Sequence, residues 1–542
     1  MKKIYAKLSV LATAFSLFGL NAYALNIKSL PATEVNAESA SSDEIVTTPP
    51  AGTTVTYYAD MRNDDNVFGF MYDNHISCKI VFCDNGDVYL PNLLMRNTMG
   101  AYVRGSYDKS TGIISVPAGQ AVYQSPNTQD FTRVYLLDAS GNAGNKDTNE
   151  FYSAPLTFHV DNDGVITFNG DYPYFGICNE TNVEECYGIG YDLTFTPTEN
   201  VDGDIEYFTL NYVYDANETA YSTTISGYGD DDVRWFKGLS PKYPDAWMKL
   251  QKNGNTTDTE QGDTENWLAY SFQVMNFSSY DYPYVAAAAT FGYDDSGNDQ
   301  WTAYNYLPFT YNPETKTFTA ATDGMMLTML TTYDEQEVQF LQAYKSLKVE
   351  PKELKFEGLT DPTFTSYDAE STPGETEFIF MTSDLDIAGN SLVKDALYFR
   401  MYIDGELYTF TAATYPKFKE DVSLVPFSTN LYGVFMSNTA GDKRYVYFQN
   451  LPADIKNIGV EQVYIMNGKE YTSRRLVYDI ASATAGYSDS SAVEKVNADK
   501  QPVSVVRYNV NGQRVSDTAT GMIITVERYN DGTTHSTKSF RR

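Results

Sequence analysis

Three histidines, His75, His159 and His535, are all the imidazoles this chain offers for acid–base or nucleophilic chemistry. A Ser/His/Asp or Cys/His site needs one of them beside a nucleophile, and no Gly-x-Ser-x-Gly elbow accompanies any of the three. The sequence also lacks an HExxH pair, a Walker glycine loop and a dinucleotide fingerprint. Paired carboxylates remain a route to glycoside hydrolysis, but with 71 acidic residues no pair is singled out. Asp230-Asp231-Asp232 and Asp294-Asp295 carry oxygen ligands suited to calcium without the D-x-[DN]-x-[DN]-G spacing, and read better as solvated turns. No catalytic, cofactor-binding or metal-ligating residue is assigned, and no cofactor is expected.

Aromatic faces are the other chemistry on offer, because flat rings beside Asp and Asn hold sugar rings. All four tryptophans, Trp235, Trp247, Trp267 and Trp301, fall between residues 201 and 345. Trp235 aligns with Tyr89 and Trp247 with Tyr102 in a preceding stretch of similar sequence, so both positions read as a shared core. Trp267 and Trp301 have no aligned aromatic counterpart and are the candidate ligand platform. The four cysteines lie in the first third, and three pairings are open to them. Cys178 with Cys186 is the favoured local disulfide.

The elements that would carry these residues follow from composition and pattern. The chain has 39 basic and 71 acidic side chains, a formal charge of −32, which opposes binding to nucleic acid and to anionic lipid. With 15% aromatics, 45 tyrosines and 36 glycines, it is composed for strands. Lys2 and Lys3, the apolar run Leu8 to Leu20 and Ala22-Tyr23-Ala24 spell an export signal, residues 1–24, cleaved after Ala24. No comparable apolar stretch follows, so no transmembrane segment is expected after signal removal. Residues 25–52 are small, polar and proline-bearing, and read as a flexible linker.

From residue 53 short alternating runs are separated by Gly, Asn and Asp, as in antiparallel sheets. The chain then repeats itself. VYLPNL at 88–93 and AYVRG at 101–105 match RWFKGL at 234–239 and AWMKL at 246–250; DASGN at 138–142 and APLTF at 154–158 match DDSGN at 294–298 and LPFTY at 307–311. Two β-modules are expected, 53–200 and 201–345. A third unit, 346–480, has the spacing of an immunoglobulin or fibronectin-III-like sandwich, with hairpin turns at Asp404-Gly405 and Asn467-Gly468. Residues 481–502 read as a second linker, and 503–542 as a small β-meander with a basic end. The fold class is thus all-β: tandem antiparallel β-sandwich-like modules, an immunoglobulin-like domain and a C-terminal meander.

The last segment, VEKVNADKQPVSVVRYNVNGQRV followed by GMIITVERYNDGTTHSTKSFRR, resembles the C-terminal sorting domain of proteins exported by the type IX system of Bacteroidota. That family's Tyr/Phe-Asn-x-x-Gly-x-x-Val strand is matched by Tyr508, Asn509, Gly512 and Val515. Its glycine opening a hydrophobic strand is matched by Gly521, and its basic terminus by Lys538, Arg541 and Arg542. The resemblance implies export, a cell-surface, outer-membrane-associated or extracellular location, and engagement of the export machinery through this tail. The functional expectation is a non-enzymatic surface protein acting as a binding or adhesion scaffold, with a glycan or a host or bacterial surface protein as partner. Carbohydrate capture on exposed aromatics of the second module is the alternative, and a glycoside hydrolase with an unrecognised carboxylate pair a distant one.

Overall fold

A computed structural model describes residues 43–65, 68–91, 101–169, 174–202, 205–258, 262–277, 283–293, 297, 299–321, 324–332, 338–372, 374–418, 420–429, 431, 434–437, 443–466, 469–488, 502–509, 514–516, 521–529 and 534–541. The export signal with Ala24, and the turn at Asn467-Gly468, lie outside the described residues. The chain forms two compact units, Met1–Lys355 with Ser391–Asp395, and Phe356–Asn390 with Ala396–Arg542.

The first unit opens with β1 (Thr53–Asp65), β2 (Gly69–Phe82), β3 (Asp87–Pro91), β4 (Tyr102–Asp108), β5 (Ile113–Val116), β6 (Gln120–Gln124), β7 (Phe131–Leu137), β8 (Gly144–Asn145), β9 (Glu150–Phe151), β10 (Leu156–Val160), β11 (Ile166–Phe168), β12 (Tyr174–Asn179) and β13 (Cys186–Pro197). Alternation along these strands turns one side chain in two inward, as in β5 and β10. Pairing runs β1-β2-β3-β4-β5-β10-β11-β13 and returns to β1, where Tyr57 faces Pro197. The sheet therefore closes into a barrel, a correction to the sandwich-like expectation. Sandwich and barrel share the same period-two pattern, and only the long-range pairing of β1 with β13 separates them. Ile80, Val88, Ile114, Val116, Leu156 and Phe195 fill the interior. A side sheet, β6-β7-β12, leaves the barrel at β13, and Cys178 is bonded to Cys186 across the β12–β13 pairing. Cys78 and Cys83 are free thiols.

The second half of this unit repeats the plan. After a four-residue helix, α1 (Glu199–Asp202), come β14 (Glu206–Tyr214), β15 (Thr219–Gly229), β16 (Val233–Lys237), β17 (Trp247–Asp258), β18 (Gly262–Tyr270), β19 (Gln273–Phe277), β20 (Pro283–Tyr293), β21 (Asp299–Tyr304), β22 (Tyr306–Asn312), β23 (Thr317–Ala320), β24 (Met325–Thr332) and β25 (Val338–Pro351). The ring is β14-β15-β16-β17-β18-β22-β23-β25 and back to β14. Its side sheet, β24-β20 with β19 and β21, leaves at β25. Three of the four matched pairs take equivalent places: 88–93 and 234–239 begin in β3 and β16, 101–105 and 246–250 enter β4 and β17, and 154–158 and 307–311 lead into or lie on β10 and β22; the fourth, 138–142 with 294–298, lies partly outside the described residues. Inside sit Phe208, Leu210, Ile225, Phe236, Phe309 and Phe318.

The two barrels join through β2. Tyr72 bridges Gln273 in parallel, and its amide donates to the Phe272 carbonyl at 3.0 Å. Phe68, Met71, Phe272, Val274, Val285 and Leu330 form a small apolar cluster there. Beside it lies a buried polar seam, in which Asn74 Nδ2 donates to Gln273 Oε1 at 2.5 Å and Gln273 Oε1 also accepts the Lys249 amide at 2.6 Å.

In the second unit, one sheet runs through Thr363–Thr372, Glu375–Met381, Lys443–Gln449 and Phe435–Ser437, and the other through Leu397–Ile403, Asn457–Met466, Arg475–Asp479 and Thr484–Ser488. Their inner faces share a core of Phe378, Phe380, Phe399, Phe410, Val446, Ile458 and Leu476, the arrangement of a β-sandwich. Asp404 and Gly405 both have positive φ, 50° and 88°, as a two-residue hairpin turn between Ile403 and Glu406 requires. Residues Pro502–Asn509, Arg514–Val515, Gly521–Tyr529 and Thr534–Arg541 form a separate antiparallel sheet in which Pro502–Asn509 pairs with both of the next two strands. Of the tail motif, Tyr508, Asn509, Val515 and Gly521 lie on strands of this sheet, while Gly512 lies outside the described residues.

Candidate functional site

The mouth of the second barrel is an open cleft of about 960 Å³. Beside it, two glycines of β15 let the β15 and β16 backbones approach closely. Gly227 and Gly229 of β15 face Phe236 and Arg234 of β16. A Cβ on Gly227 would come within 2.6 Å of the Trp235 carbonyl oxygen and 2.8 Å of the Phe236 ring, and one on Gly229 within 2.1 Å of the Val233 oxygen. Only glycine fits either place, and Gly229 also has φ of +146°. The cleft floor is aromatic, with Phe208, Phe318 and the half-buried Tyr311. Tyr311 packs on Phe318 at 4.4 Å, and Phe318 on Phe236 at 5.3 Å. Around the rim stand three acids, Glu206, Asp230 and Glu353, and three bases, Arg234, Lys316 and Lys352.

Asp230 is committed to its own turn, where Oδ1 accepts the amides of Asp232 and Val233 at 2.9 and 2.8 Å. Those hydrogen bonds hold its carboxyl below the usual range. Among the described residues no group of three or more His, Cys, Asp or Glu side chains is placed to hold a metal ion.

The outer face of the same β15–β16 hairpin is held by an imidazole from the first barrel. His75 sits in β2 opposite an irregularity between Ala59 and Met61 of β1, with φ of +50°, and this bulge aims its ring away from its own barrel. The Asp60 carboxylate lies 2.8 and 3.0 Å from Nδ1 and also accepts the His75 amide at 2.7 Å. A carboxylate only accepts, so Nδ1 carries a proton, and Nε2 is hydrogen-bonded to the Tyr228 hydroxyl. Burial, with the Asp60 charge second, pushes the Tyr228 hydroxyl above the ordinary tyrosine range and keeps it a neutral donor. The imidazole also stacks on Trp235 with centroids 3.9 Å apart, and Tyr228 and Trp235 are direct partners across the hairpin. His75 is 5% exposed. The Asp60-His75-Tyr228 series is thus a buried clamp between barrels.

The tryptophans are placed by their coverings. Trp235 and Trp247 point outward from the second barrel into the junction, not into a shared barrel core; Trp247 lies 5.1 Å from His75 and 5.9 Å from Tyr58. Their counterparts Tyr89 and Tyr102 also face outward, and there a preceding segment does the covering, since Val46 bridges Tyr102. Trp267 is 1% exposed among Phe318 and Tyr311, with Nε1 donating to Glu265 at 3.2 Å, which corrects its expected role as a platform. A ring enclosed on both faces offers no plane to a sugar. Trp301 is half-buried, stacked on Phe340 at 4.1 Å and packed at 4.9 Å on Phe291, which is 40% exposed.

His159 is exposed on β10. Sequence reasoning missed Arg234, Tyr311 and the two glycines. The Gly-Tyr-Gly run inside a strand was the available signal, since glycine in a strand interior marks a close approach. No family model matches this sequence, and no curated protein matches it.

Proposed function

We propose that this is a non-enzymatic, exported or cell-surface binding protein whose second barrel captures a carbohydrate at its mouth. The observation that carries the reading is the cleft of about 960 Å³ with an aromatic floor and a mixed polar rim. Barrel mouths are common ligand seats, and a hydroxyl-rich ring matches an aromatic surface edged by charged donors and acceptors. In this reading the tail serves export. His75 acts as a structural clamp, because both ring nitrogens are already engaged.

The exposed group around Trp301 supports a second seat for the same class of ligand, on the outer face of β20 and β21. A glycan array probed with the full chain, Tyr311→Ala and Trp301→Ala separates the two. Binding lost only in Tyr311→Ala places the ligand in the mouth. Loss only in Trp301→Ala moves it to the outer face, and no glycan bound by the intact chain refutes carbohydrate capture.

A further inference from the structure

The chain is strongly acidic, so cations with little to neutralise them stand out. Lys252 is spent on Glu265 at 2.8 Å, Lys345 on Glu218 at 2.6 Å, Arg62 on Asp192 at 2.5 Å, and Arg133 on Asp43 and Glu180 at 2.6 and 2.8 Å. Arg234 at the barrel mouth is not. Its Nη1 donates to the Gly229 carbonyl at 3.1 Å, and its nearest carboxylate among the described residues, Glu206, stands 3.7 Å away with its own side chain 55% exposed. A guanidinium has five N–H donors in one plane. These contacts use one of them.

The neighbourhood keeps the remaining donors accessible. Gly229, directly across the hairpin, has no side chain to stand beside the guanidinium. Arg234 lines the cleft and is 22% exposed, so it is partly desolvated yet reachable from solvent. Lys316, on the turn from β22 to β23, adds an exposed second cation to the same cleft. Tyr311 supplies a ring surface in the same lining.

Building on the carbohydrate reading, we infer that the ligand is a carboxylated saccharide, with Arg234 as the receptor for its carboxylate. The guanidinium fork pairs with the two carboxylate oxygens in a bidentate contact, which an ammonium cannot reproduce. The sugar ring lies along Tyr311, and Lys316 contributes attraction without fixed geometry. Glu206 turns away as the ligand's carboxylate takes its place.

The test is an array carrying uronate- and sialate-bearing glycans, the same glycans with the carboxylate methyl-esterified, and neutral glycans, probed with the full chain, Arg234→Lys, Arg234→Ala and Tyr311→Ala. Carboxylated glycans should bind and their esters should not. Arg234→Ala should weaken binding on the order of tenfold to a hundredfold, the worth of a charged hydrogen bond, and Arg234→Lys should recover only part of it. Thermal unfolding of each variant checks that the barrel is intact. Binding of esters or neutral glycans that depends on Tyr311 but not on Arg234 overturns this inference and leaves the carbohydrate reading standing. No bound glycan, or binding indifferent to both residues, overturns both.

Discussion

Replacing Tyr228 with Phe removes one oxygen from the clamp between the barrels and leaves its ring packing in place. The hydroxyl is hydrogen-bonded to His75 Nε2 in a site from which water is largely excluded, so its loss leaves that ring nitrogen unpaired. That costs about 1–2 kcal/mol. His75→Ala removes more: the bonds to Asp60 and Tyr228, and the stack on Trp235. Two lost hydrogen bonds and one ring pair amount to about 3 kcal/mol. Because φ at this residue is +50°, His75→Gly should be less costly than His75→Ala by about 1 kcal/mol. The bond between the two residues should appear as a coupling of at least about 1 kcal/mol in the double mutant His75→Ala/Tyr228→Phe. A chain of several folded parts does not unfold in one step, so the assay is native-state hydrogen exchange at the amides of β15 and β16. Single effects below about 0.5 kcal/mol, or effects that simply add, would refute the clamp.

Cys78, pushed up to about 12 by burial first and the Asp60 charge second, should stay a thiol and resist iodoacetamide in the folded chain at pH 8, as mass spectrometry of its peptide would register. Gly227→Ala should destabilise the second barrel by about 1–3 kcal/mol, because its Cβ would meet the Phe236 ring and the Trp235 carbonyl, and calorimetry of that transition reads the loss. Trp267→Ala should lower the same transition by about 3–5 kcal/mol while Trp301→Ala costs about 1, reflecting full and partial burial. In the sandwich, Gly459→Ala would place a Cβ 3.2 Å from both the Arg475 Cδ and the Tyr402 Cβ. It should disturb the guanidinium that lies 3.4 Å over the Tyr402 ring, seen as a lower melting temperature of that unit.

The duplication was legible because the matched segments recur in the same order in both copies and most of them are strand-forming, from the stretch that begins in β3 to LPFTY in β22. The Asp404-Gly405 hairpin was legible because its turn chemistry is local. Closure was not: Tyr57 against Pro197 and Phe208 against Pro351 are pairings across more than a hundred residues, with no local signature. Trp267 misled because its strand is apolar on both faces there, with Leu268 and Ala269 buried alongside it, so alternation does not reveal which side is inward. The outward aromatics at Trp235 and Trp247 matched Tyr89 and Tyr102 for a reason no alignment of two copies exposes: each outer face is covered, one by the segment at Val46, the other by β2 of the neighbouring barrel. His75 was invisible as a clamp because a bulge and a positive φ decide where its ring points. The cleft was missed because its lining is drawn from strands far apart in sequence, β14, β15, β16, β22 and β23, and register sets Gly229 opposite Arg234.

The most direct test of the proposed binding role is a crystal structure of the full chain soaked with the glycan that binds it best. The account predicts sugar density in the mouth of the second barrel, along Tyr311 and within hydrogen-bonding distance of Arg234. Density on the outer face at Trp301 and Phe291, with the mouth holding only solvent, would contradict it.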